Sequence, residues 1–292
     1  MVAATLALAI FLCWALCGLA LLALLRTNVR DLRISASAPI LGSAITVLPL
    51  FIASNAGLAM SRVAPALLLI TLLASAVVIA VKRPTPRWSV GPLFAVSLLE
   101  LAVVGSPFFT FGFDWIANAN GDMAFYVLAG SHLLGHGLQS PVDYHTMALG
   151  RDFTSAAQSL ELRGLRPGTQ IELAGVSAMT GLNPAQVYMP ISLAVAMASV
   201  CGVGALTMQA TRKWWAATVA AILFVALPLA AYGTLEQLLP QEWGLGLALV
   251  LFAWLMRQEL YAGNPSLGIM LPSSPLQLSF MQLLLRLIQI FI

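Results

Sequence analysis

The chain has 292 residues, of which 60% are hydrophobic and 9% are charged, and its net charge is +3. A soluble globular domain carries roughly 25% charged residues, so this composition excludes a soluble protein and indicates a membrane protein. The small basic excess lies at the ends of apolar runs, where it reports membrane orientation and gives no argument for nucleic-acid binding.

Apolar runs of about 20 residues recur along the chain, which is the length that crosses about 30 Å of hydrocarbon as a helix. Backbone polar groups in lipid must be satisfied within each segment, so we predict an all-α, polytopic bundle of about seven or eight spans. The predicted spans are 3–25, 37–58, 62–81, 90–106, 186–209, 215–233 and 243–256, with an eighth near 270–292. The chain then divides into a four-span region at 1–106, an extracytoplasmic segment at 107–185, further spans at 186–262 and a tail at 263–292.

Basic residues follow every second predicted span. The alternate short loops are poor in Lys and Arg: one carries Arg62 alone, and another carries Glu236 and Glu242. The basic residues are Arg26, Arg30, Arg33, Lys82, Arg83, Arg87, Arg212, Lys213 and Arg257. Positive residues stay in the cytoplasm, so we predict that the N-terminus and the 107–185 segment face outward. The protein is expected to be a multi-pass protein of a bacterial inner or plasma membrane.

Glu100 is the one acid well inside a predicted span, about four residues from the outer end of that span. A charged carboxylate at such a depth is costly, so Glu100 either faces the bundle or water, or is protonated. The alternative is an acid near the interface that reaches toward the lipid headgroups.

The outward segment 107–185 has helical signals of its own. Between Gly121 and His136, residues that would share one helix face recur at intervals of three and four residues, which predicts a short helix. Thr169 and Glu172 have the spacing of a capping box and predict a second helix that runs to Thr180 and ends at Gly181. We expect both helices to be interfacial, with Ala, Leu and Met faces on the bilayer. Asn183 and Pro184 then suit the start of the fifth span.

Asp122 is the leading candidate for chemistry, because it starts an interfacial helix just beyond the outer end of the fourth span. Partial desolvation there would raise its pKa toward the range useful to a general base. The alternative is that Asn120 or Asp122 only caps the helix. Asp114 is either a second acid or a polar stop after Phe113.

His132 and His136 have the i, i+4 spacing that lets two imidazoles share a metal ion. Neither a third ligand nor the Glu of a metalloprotease motif is evident, so we predict no metal and no cofactor. Histidines that face water or headgroups are the favoured interpretation.

Tyr126 fits an aromatic belt at the membrane surface, although an aromatic ring can also form a platform for a sugar. Arg163 and Arg166 lie in the same outward segment and suit bidentate contact with a lipid phosphate, or are ordinary solvated charges.

Three stretches together resemble the GT-C superfamily of polytopic membrane glycosyltransferases: 120–126 (Asn-Gly-Asp-Met-Ala-Phe-Tyr), 166–169 (Arg-Pro-Gly-Thr) and 173–182. The resemblance covers roughly 107–260. The chain departs from the family in two respects, since Gly121 stands where a second acid is common and three extra crossings precede the acid.

The resemblance implies an inverting enzyme that takes its sugar from a polyprenyl-phosphate donor on the outer face of the membrane. Asp122 would be the catalytic carboxylate that accepts the proton of the acceptor hydroxyl. Arg166 or a neighbouring Arg would stabilise the departing lipid phosphate. Asp114, Tyr126 and Arg163 are further candidates for substrate binding, and membrane lipids are the other expected partners.

Two other functions stay open at this point. The chain could be a non-catalytic assembly subunit or degenerate relative of such enzymes, or else a transporter of a lipid or small solute. Transporters tend to have broken helices in corresponding halves and polar groups at midplane, and no internal repeat is obvious here. Alanine is absent from 263–292 and Arg286 interrupts the last run, so we expect a frame change, a truncated chain or a local fluctuation in composition.

Overall fold

The computed structural model describes residues 1–25, 27, 29–86, 90–116, 121–141, 143–151, 153–154, 167–236, 238–256 and 282. All regular structure in these ranges is helical, which confirms the all-α prediction. The tail 263–292 and the eighth span predicted in it lie outside the described residues, apart from Gln282.

The helices follow the predicted spans closely, usually within a few residues at each end. They are α1 (Val2–Leu24), α2 (Leu32–Ser35), α3 (Ala38–Asn55), α4 (Met60–Lys82), α5 (Val90–Val103), α6 (Phe108–Phe111), α7 (Gly121–Gly135), α8 (Tyr144–Ala148), α9 (Gly168–Thr180), α10 (Pro184–Thr211), α11 (Trp214–Ala226), α12 (Pro228–Leu235) and α13 (Leu239–Leu255).

Four stretches in the described part of the chain are long and apolar enough to cross a bilayer: α1, α2 with α3, α4, and α10. Helix α5 and the stretch Phe108–Asp114 pass the same test as a pair but are bent by 60°. Helices α11 and α13 are apolar but shorter. The chain is therefore a membrane protein, while the number of seven or eight spans stays a prediction.

The core of the bundle is built where α1 and α3 approach closely. A Cβ atom added to Gly18 would lie 2.6 Å from the carbonyl carbon of Ala38, and one added to Gly42 would lie 2.8 Å from the backbone nitrogen of Gly18. Small residues permit such contact between backbones, and van der Waals packing of this kind holds helices together in lipid. Helices α4, α9, α10 and α13 pack around this pair.

The second helix of the 107–185 segment, α9, ends where the sequence predicts but is buried instead of interfacial. It ends at Gly181, whose φ of 73° is the left-handed conformation that glycine adopts at a C-terminus. All ten residues from Gly168 to Ser177 are buried against α3, α4, α7 and α10. Only Met179 and Thr180 are exposed, so little of α9 is left to lie on the bilayer.

The predicted capping box at the start of α9 is wrong. The N-cap residue is Pro167, no side chain caps the helix, and the Thr169 hydroxyl has no hydrogen-bond partner in the described chain. Glu172 instead faces α1. A capping box does form one helix later, where Asn183 and Gln186 bond to each other's backbone at the start of α10.

The predicted sixth span is broken in two. Helix α11 ends at Ala226, and α12 begins at Pro228 after Leu227 in extended conformation. Proline lacks the backbone N–H needed to continue a helix, which explains the break. The chain then turns at Glu236 and returns through α13.

Candidate functional site

Asp122 is the second residue of α7, so the helix predicted from Gly121 begins where expected. Its side chain lies outside the described atoms, as do Arg163 and Arg166. Helix α7 packs along α9, and a Cβ atom on Gly130 would lie 3.3 Å from Cβ of Leu173. The structure thus brings the helix that carries Asp122 into contact with the helix that follows Arg166.

The two other predicted binding residues have opposite environments. Asp114 is exposed at the end of the short 3₁₀ turn Gly112–Asp114. Tyr126 is 9% exposed and belongs to the hydrophobic core, with its ring 5.7 Å from that of Phe125 in an edge-on arrangement. Asp114 is therefore accessible to a soluble ligand, whereas the ring of Tyr126 is mostly covered.

His132, in the last turn of α7, and His136, directly after that helix, stack on each other with ring centroids 4.4 Å apart. His132 is 3% exposed, and its Nδ1 lies 3.4 Å from the hydroxyl of Thr154, so the prediction that it faces water is wrong. No group of three His, Cys, Asp or Glu side chains that could hold a metal ion occurs in the ranges the structure covers.

Glu172 lies inside the bundle, 2% exposed, at the wall of a cavity of ≈ 150 Å³. Its Oε1 accepts a hydrogen bond of 3.3 Å from the indole nitrogen of Trp14, and its Oε2 has no partner in the described chain. Burial raises the pKa of Glu172 to about 8, although the bond from Trp14 acts in the opposite direction.

Trp14 also contacts a second tryptophan, Trp243, which has a polar partner of its own. The ring of Trp14 packs 5.2 Å from the ring of Trp243, whose nitrogen donates a 2.7 Å hydrogen bond to the hydroxyl of Ser43. The preceding residue, Glu242, accepts hydrogen bonds from Thr234 at 2.6 Å and from Ser192 at 3.3 Å.

Glu100 is another acid within the described part of the bundle. It is 1% exposed and lines a cavity of ≈ 250 Å³ together with Glu242. The interpretation of Glu100 as an acid that reaches toward the headgroups is therefore wrong, and the bundle-facing alternative describes it.

Sequence reasoning missed Glu172 and Glu242 as functional candidates. Glu172 has the position of a capping residue and Glu242 lies near a predicted outer turn, so each has an ordinary local explanation. The available signal was the isolation of each acid within an apolar helix that carries no basic partner.

No protein-family model, no curated protein and no solved structure matches this chain.

Proposed function

We propose that the protein is a membrane glycosyltransferase that moves a sugar from a polyprenyl-phosphate donor to an acceptor on the outer face of the membrane. The observation that supports this function best is the packing of α7 on α9. Helix α7 has Asp122 in its first turn. Helix α9 follows Pro167, and Arg166 directly precedes Pro167 in the sequence.

Asp122 is the proposed general base. Asp122 belongs to the first turn of α7, the end at which a helix dipole favours a negative charge. An ionised carboxylate can accept the proton of a sugar hydroxyl as that hydroxyl attacks the anomeric carbon. In the proposal, Arg166 binds the phosphate that leaves and stabilises the charge that develops on it.

The test is sugar transfer by the purified full-length chain in proteoliposomes, supplied with radiolabelled undecaprenyl-phosphate hexoses and pentoses and with soluble acceptor sugars. We expect Asp122→Asn to abolish transfer while the protein still inserts and elutes as one species. Asp143→Asn is the matched control, because Asp143 is an exposed acid that caps α8 in the same segment.

Two results would overturn the proposal. One is wild-type protein that transfers no sugar from any of these donors. The other is an Asp122→Asn variant as active as Asp143→Asn, which would leave Asp122 as a helix cap and favour a non-catalytic membrane subunit.

A further inference from the structure

A cavity of ≈ 250 Å³ lies between α5, α10, α11, α12 and α13. Its polar lining includes Glu100 from α5, Ser199 from α10 and Glu242 from α13. Apolar side chains such as Phe224, Leu227 and Leu245 make up most of the remaining wall. It is separate from the outward segment that carries Asp122.

Glu100 is buried at this cavity without full hydrogen bonding. Its Oε2 atom has no hydrogen-bond partner in the described chain, and neither has the hydroxyl of Ser199, which is 4% exposed. A buried polar atom left without a partner costs free energy, and an occupant that brings a positive charge or a hydrogen-bond donor to these oxygens offsets that cost.

Glu242 is the second acid of the cavity. Both of its oxygens accept hydrogen bonds, from Thr234 and from Ser192, which holds the carboxyl group in one orientation. It lines the same cavity as Glu100, so the two carboxylates would repel each other if both were charged. Two neighbouring carboxyl groups cannot both be ionised cheaply, so they bind either protons or an external cation.

The helices that form the cavity lie within 90–103 and 184–255. The only basic residues of these two ranges are Arg212 and Lys213, in the turn after α10. Those two are exposed at the far end of α10. The remaining titratable residues of these ranges, besides the two acids, are Tyr188, Cys201, Tyr232 and Glu236. None of these can supply a positive charge, so the helices that form the cavity do not themselves neutralise the two acids.

The exposed part of the cavity lining is mostly apolar. Leu227 and Leu245 line it and are 53% and 52% exposed, respectively, and Gln241 is an exposed polar residue of the same lining. We infer that the exposed leucines face lipid, so that an occupant enters from the bilayer. Apolar walls with few oxygen ligands do not suit a small metal ion, which needs several oxygens to replace its water. They do suit an organic cation with hydrocarbon groups.

We propose that this cavity binds a lipid-soluble monovalent organic cation, such as a quaternary ammonium, whose charge replaces one proton on the Glu100–Glu242 pair. The proton leaves to solvent as the cation binds, so the net charge of the cavity does not change. Binding is therefore stronger at higher pH, and each bound cation releases about one proton.

The experiment is calorimetric titration of the full-length chain in nanodiscs with benzyltrimethylammonium, run in two buffers of different ionisation enthalpy to count released protons. We expect saturable binding and release of about one proton per cation in the wild type. Glu100→Gln and Glu242→Gln should each weaken binding at least about tenfold and lower the proton count. The control is Glu172→Gln, which removes a buried acid from the other cavity and should bind like the wild type.

A change at the surface tests the same proposal without removing a buried group. Leu245→Trp enlarges an exposed leucine at the mouth, so it should weaken binding while folding is kept. The proposal is overturned if the wild type does not bind the cation or releases no proton. It is also overturned if the uncharged isostere neopentylbenzene binds equally well, or if both Gln variants bind as the wild type does.

Discussion

The indole nitrogen of Trp14, midway along α1, donates a hydrogen bond of 3.3 Å to Oε1 of Glu172 in α9. This bond joins the first span to a helix that lies 158 residues later. It shows that the end of the 107–185 segment folds into the bundle. The carboxyl group it binds is held in an apolar environment, and several consequences of that burial are measurable.

The stability of the protein should fall as pH rises because of Glu172. Its pKa is raised from 4.5 to about 8 by burial, so between these values the folded chain binds more protons than the unfolded chain. The free energy of unfolding therefore decreases with pH by up to about 1.4 kcal/mol per unit and levels off above the folded pKa. We expect Glu172→Gln to lack this contribution, as measured by thermal unfolding in detergent at about pH 5 and about pH 8.

The difference between the two proteins is the informative quantity, because other carboxyl groups contribute equally to both. The amide oxygen of the Glu172→Gln variant would still accept the bond from Trp14, while its side chain carries no ionisable group. The stabilisation by Glu172→Gln should grow from pH 5 to pH 8 and reach a few kcal/mol, as an order of magnitude. An equal effect at both pH values would show that Glu172 is not buried in the folded protein.

The bond between Trp243 and Ser43 should contribute to stability through direct coupling. Their atoms are 2.7 Å apart and both residues are buried. Hydrogen bonds between helices in lipid typically contribute about 0.6 kcal/mol and at most about 1.7 kcal/mol. A double-mutant cycle with Trp243→Phe and Ser43→Ala should give a coupling energy in that range in denaturation experiments. Additive effects of the two changes would mean that this bond is not formed.

Close packing of α1 on α3 should make Gly18 intolerant of any side chain. An added Cβ atom would meet the backbone of Ala38, which cannot move aside as a flexible side chain does. We expect Gly18→Ala to destabilise the protein by about 3 kcal/mol, the upper part of the usual range for overpacking. Gly91→Ala in α5 is the matched control, because its Cβ would meet nothing within 4 Å. Equal stability of both variants in thermal unfolding would contradict this packing.

Much of the helical framework could be predicted from sequence, because the signals involved are local. The apolar run before Leu24, the cap at Asn183 and the glycine at Gly181 each set a helix boundary by their own chemistry, and the structure has boundaries there. The break at Pro228 was missed, since it lies inside a run that is apolar throughout.

The environment of the acids could not be predicted in the same way. Thr169 and Glu172 have the spacing of a capping box, and only the packing of α9 against α1 decides that Glu172 bonds to Trp14 instead. The partners of Glu242 lie 8 and 50 residues away, so no local pattern marks them. Burial depends on which helices meet, and a single sequence contains no direct record of that.

The orientation of the chain stays a prediction, and it decides on which side of the membrane Asp122 would act. In a variant whose three cysteines are replaced by alanine, Tyr144→Cys should react with a membrane-impermeant maleimide on intact spheroplasts, since Tyr144 is 64% exposed in the outward segment. Lys82→Cys, at the exposed end of α4, should react only after permeabilisation, because basic loops stay in the cytoplasm.

Labelling of both positions after permeabilisation shows that each cysteine is accessible, so a missing signal on intact cells reports sidedness alone. The reverse pattern, with Lys82→Cys labelled first, would place Asp122 in the cytoplasm. A donor sugar presented on the outer face would then be out of its reach, and the proposed transferase function would fail. The cation site proposed between Glu100 and Glu242 would survive that result, because the residues that line its cavity are the same whichever side of the membrane carries Asp122.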